Sequence, residues 1–141
     1  MGGGLTMEAR SAQGPAQLSK QKLVFVVDDD PGMLRGMVRL LRQHGYDCVS
    51  FQSADAFHKH DNFEQAICVV LDINLSDESG IDVRHRLKDA GVSLPVIYIT
   101  GKDNRATRRA AIASGCIAYL TKPFAAQSLI EPIERASAGL A

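Results

Sequence analysis

The sequence predicts an α/β fold, one five-stranded parallel sheet wrapped by helices on both faces, and three observations carry the prediction. Five short apolar runs rich in β-branched residues recur along the chain. Between them lie stretches whose apolar residues return every three or four positions. Glycine, proline, aspartate or asparagine mark most of the borders. A chain of 141 residues is long enough for one domain with a real core and too short for two ordinary ones. Lys and Arg number 16, and Asp and Glu also number 16, so no global field marks the chain for nucleic acid or a membrane surface. Hydrophobic residues make up 45%, which suits a globular protein, yet no run approaches a membrane span and no apolar core of a secretion signal stands at the start. A cytoplasmic location is expected.

In chain order, Met1 to Lys20 carries four glycines and a proline with no lasting period, and reads as a flexible leader or cloning remnant ahead of a domain over residues 21–138. Leu23 to Val27 is the first strand and runs into Asp28, Asp29 and Asp30. Asp30 can cap a helix that Pro31 opens and Gly45 ends. Leu34, Met37, Val38 and Leu41 form its buried stripe, with Arg35, Arg39 and Arg42 opposite. Tyr46 to Phe51 is the second strand, and Ser53 can cap a short helix bearing Ala54, Ala56 and Phe57. The third strand, Ile67 to Asp72, is an unbroken apolar run that ends on a carboxylate, as a strand buried on both faces does at its carboxyl edge. Ile81, Val83, Leu87 and Ala90 then make a helix that Gly91 stops. Val96 to Ile99 is the fourth strand and leads into Thr100-Gly101. Asp103 or Asn104 can start the next helix, with Ala106, Ala110, Ala111 and Ile112 expected inward. Cys116 to Leu120 is the fifth strand, followed by Thr121-Lys122-Pro123-Phe124 and a last helix carrying Leu129, Ile130 and Ile133. Cys48, Cys68 and Cys116 lack ligand spacing and read as reduced, buried, small hydrophobes; His44, His58, His60 and His85 read as surface residues.

Parallel strands deliver their carboxyl ends to one edge, where open α/β sheets bind ligands. Asp28, Asp29, Asp72, Thr100 and Lys122 are thereby expected at one crevice. Carboxylates brought together repel, and a divalent cation removes that penalty; oxygen-only ligands select Mg²⁺ or its like. Lys122 adds an ammonium for a phosphoryl oxygen, and the Thr100 hydroxyl adds a hydrogen bond. A carboxylate can itself accept a phosphoryl group, and that transfer needs mainly positioning and charge neutralisation. Asp72, the acid at the middle of the sheet, is the expected nucleophile.

The ordered set Val-Val-Asp28-Asp29-Asp30, Leu-Asp72-Ile-Asn74-Leu, Ile-Thr100-Gly101 and Lys122-Pro123-Phe124 resembles the receiver domain of two-component response regulators, from about Lys22 to the last helix. The resemblance implies a doubly wound, flavodoxin-like fold with strand order 2-1-3-4-5. It implies that Asp72 accepts phosphate from a sensor histidine kinase or histidine phosphotransfer protein. Asp28, Asp29 and Asp72 would hold Mg²⁺ together with the Asn74 backbone carbonyl, and Lys122 would bind the phosphate. Thr100 would swing toward the phosphoryl group and Tyr119 would rotate inward with it, reshaping the face built from the fourth helix, fifth strand and fifth helix for a downstream target. Lys122-Pro123 is expected cis.

Ser76 stands where many receivers carry proline, which puts the stiffness of its loop in question; Lys102 sets a cation near the pocket, and Pro132 is expected to interrupt and kink the last helix. Arg105, Arg108 and Arg109 form a basic stripe, either solvated or a docking face for an acidic partner or a second copy. With Ala141 just past the last helix, a stand-alone receiver without direct nucleic-acid or membrane contact is expected. The alternatives are the receiver part of a DNA-binding regulator, as the Ile-Thr-Gly signature resembles receivers fused to helix-turn-helix domains, and a degenerate receiver that binds partners without phosphorylation. A Mg²⁺-dependent phosphohydrolase using Asp28-x-Asp30 is the rival enzyme; Pro31-Gly32, the missing cap insertion and the missing later acidic pair oppose it.

Overall fold

Valine-rich and isoleucine-rich runs place side chains alternately on two faces, and here both faces are covered. The computed structural model describes residues 22–139, so the expected leader over 1–20 lies outside the described residues. Five strands, β1 (Leu23–Val27), β2 (Asp47–Phe51), β3 (Cys68–Asp72), β4 (Val96–Thr100) and β5 (Ala118–Thr121), pair in parallel in the order β2-β1-β3-β4-β5. Five helices alternate with them: α1 (Pro31–Gln43), α2 (Ala54–His58), α3 (Gly80–Asp89), α4 (Arg105–Ser114) and α5 (Ala126–Ser137). A single 3₁₀ turn at Phe63–Gln65 leads into β3.

The pleat sorts the core into two layers. Phe25, Val27, Val69, Leu71 and Tyr98 point to the layer closed by Phe57 of α2, Val83 and Leu87 of α3 and Ala111 of α4. Val24, Val26, Val70, Ile97 and Ile99 point to the layer closed by Leu34, Met37 and Leu41 of α1 and Leu129, Ile130 and Ile133 of α5. At roughly 1.5–3 kcal/mol for each fully buried large apolar side chain, these layers supply the dominant stabilisation. The register pairs Val27 with Leu71, Asp72 with Ile99, and Thr100 with Thr121, so the four ends that carry chemistry are level.

Helix starts follow the sequence closely. Asp30 accepts hydrogen bonds from the amides of Gly32 and Met33, Ser53 from Ala56, Ser79 from Ile81, and Asn104 from Thr107. Asn104, not Asp103, caps α4. Gly80 opens α3 against the backbone of β3: a Cβ there would lie 2.5 Å from the Asp72 carbonyl oxygen. No other residue fits that approach.

Several expectations need correction. In α4 only Ala111 of the four expected inward residues is buried, and Ile112 is 61% exposed. The helix instead buries Ala111 and Ser114, and Ser114 Oγ meets the Tyr98 hydroxyl at 2.7 Å. α5 continues as helix through Pro132. His44 and His85 are exposed, but His60 sits edge-on to Phe25 and Phe51 and His58 is tied to Glu78, both half-buried. Cys68 is buried while Cys48 and Cys116 are half-buried, and all three are free thiols. Burial pushes the Cys68 thiol up to about 12 and the Cys48 thiol up to about 11, so neither is a ready nucleophile. Among the described residues no helix is long and apolar enough to cross a membrane.

Candidate functional site

The carboxyl edge of β1, β3, β4 and β5 gathers the acids, the hydroxyl and the ammonium that the sequence placed at strand ends. Asp28 is fully buried. Its Oδ1 accepts from the Asp30 amide at 2.9 Å and its Oδ2 from Lys122 Nζ at 3.0 Å. Burial raises the pKa of Asp28, against the lowering effect of the Asp30 amide and Lys122, and nearby Asp72 adds to the rise. Asp72 is 3% exposed; its Oδ1 accepts from the Asn74 amide at 2.9 Å and its Oδ2 from Lys122 Nζ at 3.2 Å. One ammonium therefore bridges the ends of two adjacent strands. Burial alone would lower the Lys122 pKa, but the carboxylates of Asp28 and Asp72 outweigh it and the net direction is up. The Lys122–Pro123 bond is cis.

Asp29 completes the acidic group: one carboxylate oxygen from each of Asp28, Asp29 and Asp72 lies within 4.8 Å of the others. Three carboxylates face one ammonium, a deficit of two positive charges, and every donor is a hard oxygen. That donor set fits a divalent cation of the Mg²⁺ type.

Thr100 is fully buried, and its Oγ1 donates to the Asn74 side-chain oxygen at 2.6 Å while accepting from the Lys102 amide at 3.0 Å. Asn74, expected to act through its backbone carbonyl, thus also holds the hydroxyl expected to switch. Lys102 contributes its backbone to the site, and its exposed side chain borders a cleft that includes Asn74, Thr107 and Ala110. Tyr119 stands apart from the acids. Its hydroxyl donates to Asp103 Oδ1 at 2.8 Å and its ring lies 5.0 Å from the Arg108 guanidinium. Burial and the Asp103 carboxylate push the Tyr119 phenol up to about 12. Arg108 is paired to Asp103 at 2.8 Å, whereas Arg105 and Arg109 are exposed.

Residues that the sequence did not single out as site residues fix the loop after β3. Ser76 donates to Asp29 Oδ2 through both its amide, at 2.9 Å, and its hydroxyl. Asp77 accepts from the amides of Ala54 and Asp55 at the start of α2, which holds its carboxyl below the ordinary range. Glu78 bonds His58 and Arg86. The loop that lacks proline is stitched on both sides instead. Only the acceptor chemistry of Asp77 and the absence of proline at Ser76 hinted at this.

A family model described as the response regulator receiver domain matches residues 24–134. The response regulator protein TodT of Pseudomonas putida is 31% identical over 117 residues, covering 83% of this chain and 52% of TodT. Nodulation protein W of Bradyrhizobium diazoefficiens is 32% identical over 128 residues, covering 91% of this chain and 56% of that protein. A solved structure of the response regulator StyR aligns with a TM-score of 0.77 at 34% identity, over 83% of this chain and 59% of StyR. The chain spans about half the length of the curated relatives it matches, and others among them bear the name transcriptional regulatory protein. Fold, site and relatives agree that the chain belongs to the response regulator receiver domains of two-component signalling.

Proposed function

We propose that this receiver works by accepting a phosphoryl group on Asp72. The observation that carries the reading is the setting of Asp72: buried at the end of β3, with Lys122 Nζ on one oxygen and the Asn74 amide on the other. A carboxylate oxygen of Asp72 attacks phosphorus, the bond from phosphorus to an imidazole nitrogen of a phosphohistidine breaks, and that nitrogen keeps the electron pair and takes a proton. The product is an acyl phosphate. Response regulators receive signals from histidine kinases, so a sensor kinase or a histidine phosphotransfer protein is the proposed donor. The chain is then a signalling receiver that promotes its own phosphorylation and dephosphorylation, and it does not turn over a general phosphomonoester.

Asp28, Asp29 and Asp72 would hold Mg²⁺ with the Asn74 carbonyl. Bound there, the ion supplies neutralisation of charge on the phosphoryl oxygens. The chain's own groups do the rest. Lys122 shifts from two carboxylates to a phosphoryl oxygen, which offers more charge. Thr100 leaves the Asn74 side chain and donates to another phosphoryl oxygen. Its departure frees the loop to α4, and Tyr119 exchanges Asp103 for the space Thr100 opens. The face of α4, β5 and α5, with Arg105 and Arg109 exposed on it, then changes for a partner or a second copy.

A second reading concerns context alone: that this receiver governs a DNA-binding portion of a longer regulator. The coverage of its relatives, about half of each, favours it.

The test is intact mass after incubation with Mg²⁺ and acetyl phosphate. Wild type is expected to gain one phosphoryl increment that chelation of the metal prevents, and Asp72→Ala to gain none. An equal increment on Asp72→Ala would refute the assignment.

A further inference from the structure

Of the three acids, Asp29 is the one that Lys122 does not hold. Lys122 engages Asp28 and Asp72, and the Asp30 and Asn74 amides fix the second oxygen of each. Asp29 has neither restraint. Its donors among the described residues both come from Ser76, 47 positions away on the loop after β3, and both meet Oδ2; Oδ1 has none. An amide and a hydroxyl from one residue on one oxygen fix both torsions of a side chain that would otherwise sample several rotamers. The unengaged Oδ1 stays available as a ligand, because a carboxylate has acceptor sites on both oxygens.

From this we infer that Ser76 is a positioning residue for the divalent-cation site: it orders Asp29 before the ion arrives and keeps hold of Oδ2 while Oδ1 binds. The inference rests on the metal site proposed above. Its physical basis is that a ligand already held in place loses less freedom on binding, and hydrogen-bond partners of metal-ligating carboxylates tune affinity for that reason. A proline here could supply neither donor. Alanine keeps the amide and removes the hydroxyl, and threonine keeps both.

The experiment is titration of uniformly labelled wild type, Ser76→Ala and Ser76→Thr with Mg²⁺ alone, following backbone amide and Asp29 carboxyl carbon signals by NMR. Ser76→Ala is expected to raise the dissociation constant about tenfold, at the low end for loss of such a partner. It should also shift the Asp29 carboxyl signal in the metal-free protein. Ser76→Thr should stay within about twofold of wild type. Affinity that is unchanged or tighter in Ser76→Ala would overturn the inference, since Ser76 would then be neutral or a competitor of the ion. Threonine as weak as alanine would overturn it too, by placing the effect in loop packing. Wild type that never saturates would overturn the metal-site reading itself, an outcome distinct from both.

Discussion

Lys122 holds two buried acids that would otherwise face each other, and its loss exposes what the metal-free site depends on. Its side chain is 22% exposed, so solvent moderates the penalty of removing it. Lys122→Met is expected to destabilise the metal-free protein by roughly 1–3 kcal/mol, because Asp28 and Asp72 lose their shared cation. Saturating Mg²⁺ should close most of that gap, as measured by urea unfolding with and without the ion. A gap of equal size in both conditions would contradict the charge-sharing account. Asp28, Asp72 and Lys122 were legible in the sequence because each ends an apolar run, and a parallel sheet carries all such ends to one edge. The grip of the Asn74 side chain on Thr100 and that of Ser76 on Asp29 were not legible. Both depend on how a loop folds back across strands, which no periodicity encodes.

At the scale of elements, α4 shows where pattern reading fails. Its alanines carry little hydrophobic contrast, and the signal that phases it is the stripe of Arg105, Arg108 and Arg109, which shares its face with the exposed Ile112 and lies opposite the buried Ala111 and Ser114. On the buried face a polar relay ties α4 to the sheet. Ser114 Oγ donates to the Ala111 carbonyl at 2.7 Å, so its single proton is committed and the Tyr98 hydroxyl must be the donor to it. The two ends of that relay are unequal. Tyr98→Phe removes a donor and leaves Ser114 bonded to Ala111, at a cost of about 1 kcal/mol. Ser114→Ala strands a buried phenol and should cost more, about 1–3 kcal/mol. Urea midpoints of the two variants check the order, and the reverse order would mean the proton runs the other way. Strands and the caps of α1 and α2, by contrast, were read nearly to the residue, because Asp30 and Ser53 cap by local geometry that a sequence does record.

The whole molecule has a predictable alkaline limit. Burial pushes the Tyr98 phenol up to about 12, and burial with Asp103 does the same for Tyr119; Lys122 is also raised. Unfolded tyrosines release their protons near pH 10. From there to about 12 the unfolded chain's phenols bind fewer protons than the folded ones, so their contribution to stability is fully present below the lower value and falls as pH rises toward the upper. The Cys68 and Cys48 thiols, raised in the same direction by burial, act earlier, because unfolded thiols ionise at about pH 8.5. Urea midpoints should therefore hold level up to about pH 8 and decline beyond it, first through the thiols and then through the phenols. A profile flat from about pH 8 to about pH 11 would show that neither the thiols nor the phenols are protected by the fold. The pairing of Tyr98 with Tyr119 across β4 and β5 has an optical consequence as well. The chain has three tyrosines and no tryptophan, so Tyr119, beneath a guanidinium and bonded to a carboxylate, is one of only three phenols that set the near-ultraviolet signal above the phenylalanine bands. A receiver of this composition carries its own spectroscopic reporter on the face that the switch would move, and circular dichroism can watch it without a label.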